Sequence, residues 1–266
     1  MKSLTKWDWS AIAIILVGAG IRLSHLLTIP MDEPFRLGGL FYEFSRQIII
    51  NNFAFPETIP YFSAGGIPFA YPPLSFYFQA ITIKLLDPPL FFSVNLLPPL
   101  ITLLSLPAFY WMIQQYNDDI HLVLVGLLAF ALMPPAFINQ IEAAGLAESF
   151  GVITLILYLG FVFRWSKDPN WKDTILAGLV LAFCIISSPG SAYAATLFSI
   201  VFFIWILFGG LRKPTLKPAG MLLVLGTIGL LISAPYWLSV MQNHGVNFFI
   251  IPFLGQHQAS TAPGQI

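Results

Sequence analysis

The sequence predicts an all-α fold: a polytopic membrane protein of about seven transmembrane helices with a long first outer loop carrying interfacial helices. Three observations predict it. Apolar residues make up 57% of the 266-residue chain and charged residues only 9%, with a mean hydropathy of +0.80, whereas soluble domains carry roughly 25% charged residues. The apolar residues gather into runs of helical length, as membrane spans require. Lys and Arg concentrate in the loops that alternation assigns to the N-terminal side of the membrane, as the positive-inside bias demands.

The first run, 9–29, follows Met1-Lys-Ser-Leu-Thr-Lys and has Trp7 and Trp9 at its start. It lacks a small-x-small cleavage site, so it reads as a retained first helix with aromatic interface anchors. Further runs cover 92–115, 120–137, 147–163, 174–188, 191–208 and 219–238. Several fall short of the roughly 20 residues a span needs and must borrow from flanking loops. Pro98, Pro99, Pro107, Pro134 and Pro135 are expected to kink or end helices.

Segment 73–86 decides the topology. It is short and carries Gln79 and Lys84. If it does not span, Lys2, Lys6, Arg164, Lys167, Lys172, Arg212, Lys213 and Lys217 share one side, eight of the twelve Lys and Arg. If it spans, the last six of these change sides. The first arrangement obeys the positive-inside bias. It makes 73–86 an interfacial helix and 30–91 one outer loop, with the N-terminus cytoplasmic in a cell membrane. Within that loop Leu37, Leu40, Phe41, Phe44 and Ile48 repeat at helical spacing, with Arg36, Glu43, Arg46 and Gln47 between them. This pattern predicts a helix lying on the membrane surface. The other outer segments are 138–147, 188–191 and the tail 239–266. The polar ending suggests the N-terminal part of a longer protein, with residues 1–266 as one membrane module.

Net charge is zero, so a nucleic-acid partner has no electrostatic support. The single cysteine, Cys184, lies in an apolar run and reads as packing. No Gly-rich phosphate loop, His-Glu-x-x-His or nucleophile elbow is present. Asp32 and Glu33 follow the first span directly; a carboxylate there accepts a proton, holds a metal, or simply marks a solvated loop. Glu142 and Glu148 flank the second outer loop. Glu148 stands at the mouth of a span, where it faces a cavity or complements the helix dipole. Arg22 and His25, in the last turns of the first span, either receive a lipid phosphate or snorkel to the headgroups. Tyr71-Pro72-Pro73 fixes an extended turn that can wall a site. His244 and His257 read as plain loop residues.

Three of these features together resemble the GT-C superfamily of membrane glycosyltransferases, which includes protein O-mannosyltransferases, oligosaccharyltransferase catalytic subunits and lipid A aminoarabinose transferases. They are the Asp32-Glu33 pair after the first span, the Tyr71-Pro72-Pro73-Leu74 element in a long first outer loop, and an acidic residue after a proline in the second, Glu148 or Glu142. The resemblance spans essentially the whole chain, in the order of that family's N-terminal module. It implies a sugar donor on a polyprenyl phosphate or diphosphate and transfer on the non-cytoplasmic face. It assigns Asp32 as catalytic base, Glu33 as its support and Glu148 as a catalytic-site residue that orients the acceptor or joins a metal site. Arg22, Tyr71 and Glu142 are the expected substrate contacts, and membrane lipids the expected surroundings. Metal-using branches of the family imply a divalent metal, Mg or Mn. The competing classes are a transporter or flippase, which predicts midplane charges and an inverted repeat, and a non-catalytic remnant of the module.

Overall fold

A computed structural model describes residues 6–28, 31–33, 37–63, 65–141, 145–208 and 216–246. The ten helices it describes are α1 Lys6–Ser24, α2 Gly38–Ile50, α3 Leu74–Leu86, α4 Phe92–Tyr116, α5 Ile120–Leu132, α6 Ile138–Ile141, α7 Leu146–Lys167, α8 Trp171–Ser187, α9 Pro189–Leu207 and α10 Leu216–His244. A two-stranded antiparallel hairpin, β1 Thr58–Ile59 and β2 Ile67–Pro68, pairs Thr58 with Pro68 and Ile59 with Ile67. The architecture is all-α apart from that hairpin.

Each of the seven apolar runs becomes a helix, but among the described residues five helices are both long and apolar enough to cross a membrane. They are Trp7–Leu27, Phe92–Tyr116, Leu146–Lys167, Pro189–Leu207 and Lys217–His244. Helix α5 has 13 residues, because Pro134-Pro135 cannot continue a helix and the chain leaves it at Met133. Helix α8 has 17. Helix α4, by contrast, runs unbroken through Pro98, Pro99 and Pro107, so those three prolines end nothing. Helix α10 continues to His244, so the segment expected as a tail from 239 begins as helix.

Contacts at the helix ends sort the bundle into two levels. At one, the Trp7 ring meets His121 edge-on at 4.8 Å and Lys167 pairs with Asp118 at 3.0 Å. That level holds the starts of α1 and α5, the α4–α5 turn and the end of α7. At the other, Arg22 reaches Phe130 O, Asn95 reaches Glu33 O, Ser188 reaches Glu148, and Tyr236 reaches Ala70 O. That level holds the loop between α1 and α4, the α8–α9 turn and the far part of α10.

The loop between α1 and α4 folds into a cap. The expected surface helix is α2, but it does not offer its apolar face to lipid. Phe41, Phe44 and Ile48 are buried against Ile59, Phe69 and Phe76. Phe44 stacks on Phe76 with ring centroids 4.7 Å apart and meets Phe69 at 4.9 Å. Aromatic pairs at these separations contribute beyond the area they bury, so the cap has a core of its own. Only Leu37, at the helix start, stays outside it, 56% exposed. Ser45 of α2 donates to Gln79 Oε1 (2.7 Å), and Gln79 Nε2 donates to Ser93 Oγ of α4 (3.2 Å), all three residues being buried. Gln79, a polar oddity in the sequence, is the bolt that joins α2, α3 and α4. Gly66 turns the hairpin at φ +77°, where a Cβ would stand 2.8 Å from Ile59 O. The outward side of α3 shows Phe78, Ile81, Leu85 and Leu86, the apolar face an interfacial helix needs.

Candidate functional site

The capped level of the bundle gathers the polar groups the sequence singles out. Glu148 sits in the first turn of α7, where the helix dipole favours a negative charge. Its Oε2 accepts from Ser188 Oγ at 3.3 Å. Ser188 is in turn the N-cap of α9, accepting from the Ser191 N–H at 3.1 Å. Ser191 Oγ donates to Cys184 O, 2.9 Å away, and locks the α8–α9 turn. Gly151 lets this turn approach α7: a Cβ there would lie 2.5 Å from Ser188 Oγ. The carboxylate is therefore held by a tight, small-residue junction.

Tyr71 stands opposite. Its ring packs on Phe41 and Phe76, both at 5.8 Å between centroids. Burial, and then the negative charge of Glu148, push its phenol up to about 12, so Tyr71 is a neutral donor at physiological pH. The next residue back, Ala70, accepts from the Tyr236 hydroxyl at 2.9 Å, which ties α10 to the cap. Beside this tie opens a cleft of about 370 Å³ between Pro73, Leu74 and Tyr77 of the cap and Ile186, Pro235 and Tyr236 of the bundle. Its walls are apolar, with the hydroxyls of Tyr77, Ser233, Tyr236 and Ser239 among them.

Asp32 and Glu33 lie at the same level, tied to the start of α4. Both are exposed, and neither carboxylate forms an ion pair or hydrogen bond among the described residues. Their backbone is fixed: Asn95 Nδ2, on α4, donates to Glu33 O at 2.9 Å and to Met31 O at 3.5 Å. Arg22 does not snorkel to the headgroups. It is fully buried, with one guanidinium nitrogen 3.4 Å from Phe130 O. Glu142 and His257 fall outside the described residues, while His244 closes α10. Glu43, which the helical pattern places on a polar face, is buried and holds Arg46 and Gln47 at 3.2 and 2.7 Å.

The structure thus places Glu148 within electrostatic reach of Tyr71 and adds Ser188, bonded to Glu148, and Tyr236, bonded to Ala70, which sequence reasoning missed. The clues were a Ser-Ser-Pro-Gly-Ser break between two apolar runs and a Pro235-Tyr236 step inside another. Among the described residues no three His, Cys, Asp or Glu side chains form a metal-ligand group. The chemistry proposed below uses no metal. No protein-family model matches the chain, and no curated protein matches it in sequence.

Proposed function

We propose that the chain transfers a sugar from a polyprenyl-phosphate donor to an acceptor on the non-cytoplasmic face of the cell membrane, with seven spans and the cap outside. One observation carries the reading. A folded cap bearing the Asp32-Glu33 pair and the Tyr-Pro-Pro-Leu element sits on the same end of the bundle as Glu148. A lipid-tethered donor and a polar acceptor can meet only at such a boundary between bilayer and water.

In this reading the acceptor O–H or N–H attacks the sugar C1 and the C1–O bond to the lipid phosphate breaks. The phosphate leaves as an anion, and the acceptor proton goes to the Asp32 carboxylate. Exposed, and unpaired among the described residues, Asp32 is an available base; Glu33 adds negative charge beside it. Glu148 and the neutral Tyr71 hydroxyl orient acceptor or sugar hydroxyls, as an acceptor and a donor of hydrogen bonds. The test is release of polyprenyl phosphate from a panel of lipid-linked sugars by membranes holding wild type or Asp32→Asn. Release by wild type alone supports the reading, and the responding sugar names the donor. Equal release by both removes Asp32 from the mechanism.

A further inference from the structure

Arg22 is the most unusual charged residue of the protein. It lies in the last turn of α1, in a helix otherwise apolar from Ala11 onward. Its side chain is fully buried, and no carboxylate pairs with it among the described residues. Phe130 of α5 and Phe137, just beyond the 3-10 turn Pro134–Ala136, lie 5.3 and 4.8 Å from the guanidinium carbon. These rings take up the cation's charge and leave its N–H groups without acceptors. One nitrogen reaches Phe130 O, at a long 3.4 Å. Nε and Nη1 have no partner, and together they carry three of the five guanidinium donors. A buried charge with idle donors is costly. Gly18, one turn earlier, lets the guanidinium and α5 pack closely on α1: a Cβ there would stand 2.9 Å from Ala131 Cβ and 3.2 Å from Nη1.

We propose that Arg22 is the seat of a phosphate-class anion that enters at the capped level of the bundle, between α1 and the turn after α5. A guanidinium matches phosphate oxygens in bidentate fashion. Its two bidentate edges pair Nη2 with Nε or with Nη1. Among the described residues Nε and Nη1 are idle, and Nη2 has two N–H groups for its one long bond to Phe130 O, so either edge can take two phosphate oxygens. Phe137 packs on the guanidinium from a short turn rather than from a long helix, so it is the group that moves to admit the anion. Among the described residues no carboxylate occupies the seat, and Asp32 and Glu33 are exposed. The site stands whether or not the chain transfers a sugar, because it concerns binding and not turnover.

The test uses the full chain purified in a phosphate-free maltoside detergent, with thermal unfolding followed by tryptophan fluorescence. The probes are sodium phosphate against sodium chloride at equal ionic strength, and phosphatidic acid against a neutral diacylglycerol in the micelles. A rise in Tm with phosphatidic acid alone identifies a lipid headgroup, and a rise with both identifies the phosphate group itself; either supports the site. Arg22→Met should weaken the response at least about tenfold, as loss of charge-assisted hydrogen bonds does. Its ligand-free Tm should be no lower than wild type, because an unpaired buried charge has been replaced by an apolar side chain. Arg22→Lys should keep a weakened response. No response in wild type, an undiminished response in Arg22→Met, or a ligand-free Tm that falls in Arg22→Met each overturns the proposal. The last result would make Arg22 a structural tie between α1 and α5.

Discussion

The two ends of the helix bundle use the same residue types for opposite purposes. At the end holding the α4–α5 and α7–α8 turns, charges are matched. Arg164 pairs with Asp173, whose other oxygen accepts from Asn170 at 3.0 Å. Lys167 pairs with Asp118, and Asp119 caps α5 by accepting from the His121 N–H at 2.9 Å. Trp165, buried between these helices, donates its indole N–H to Thr174 Oγ1 at 2.9 Å. At the capped end Glu43 pairs with Arg46, but among the described residues Arg22 meets no carboxylate, Asp32 and Glu33 meet no cation, and Glu148 accepts from the Ser188 hydroxyl. Paired charges contribute to folding. Under the proposals above, the unpaired ones are the groups left to meet a ligand.

The comparison can be broken most directly at Asp32. If the capped end is the working end, Asp32→Asn lowers polyprenyl phosphate release by roughly 10²–10⁴-fold, the range for a lost general base, with Tm unchanged. An equally large loss of turnover from Asp173→Asn would erase the distinction between the ends. Asp173→Ala should act on stability instead. It strips a partner from Arg164, which is 36% exposed at its side chain and so still partly solvated. A cost of about 1–3 kcal/mol, read from denaturant midpoints, is expected. Tyr236→Phe removes one neutral hydrogen bond between α10 and Ala70, worth about 1 kcal/mol, and should loosen the cap in hydrogen exchange before the bundle. An unchanged exchange pattern would mean that α10 is not what holds the cap down.

The smallest effect is the pH dependence carried by Tyr71. Its folded pKa, about 12, lies above the ordinary value of 10.0. Between these values the unfolded chain has lost the proton that the folded chain keeps, so stability is complete below pH 10 and falls as pH rises toward 12. Tyr71→Phe should lack this loss, as the pH dependence of the unfolding midpoint would show. Glu148→Gln should lower the Tyr71 titration, read by phenolate absorbance, because it removes the nearby negative charge. A titration unmoved by Glu148→Gln would separate the two residues and dissolve the proposed site.

Much of this was legible in the sequence where local rules suffice. The helices of 92–116 and 146–167 follow from apolar runs, and α2 from a 3.6-residue repeat. What that repeat does not state is what covers the apolar face. Phe41 and Phe44 point at Phe69 and Phe76, supplied by a hairpin and α3 about thirty residues on, so a pattern that reads as lipid-facing became the core of a cap. The prolines show the same limit. Pro134 ends a helix because a second proline and a turn follow it, while Pro107 lies inside α4 unbroken.

By itself the sequence determined an all-helical, apolar chain and the helix positions, because hydropathy and periodicity act over one or two turns. Only the tertiary structure decided which charges are spent and which are idle. Arg22 meets Phe130 across 108 residues, Ser188 meets Glu148 across 40, and Tyr236 meets Ala70 across 166. Pairing over such separations depends on how helices pack, and no local pattern in the sequence encodes it.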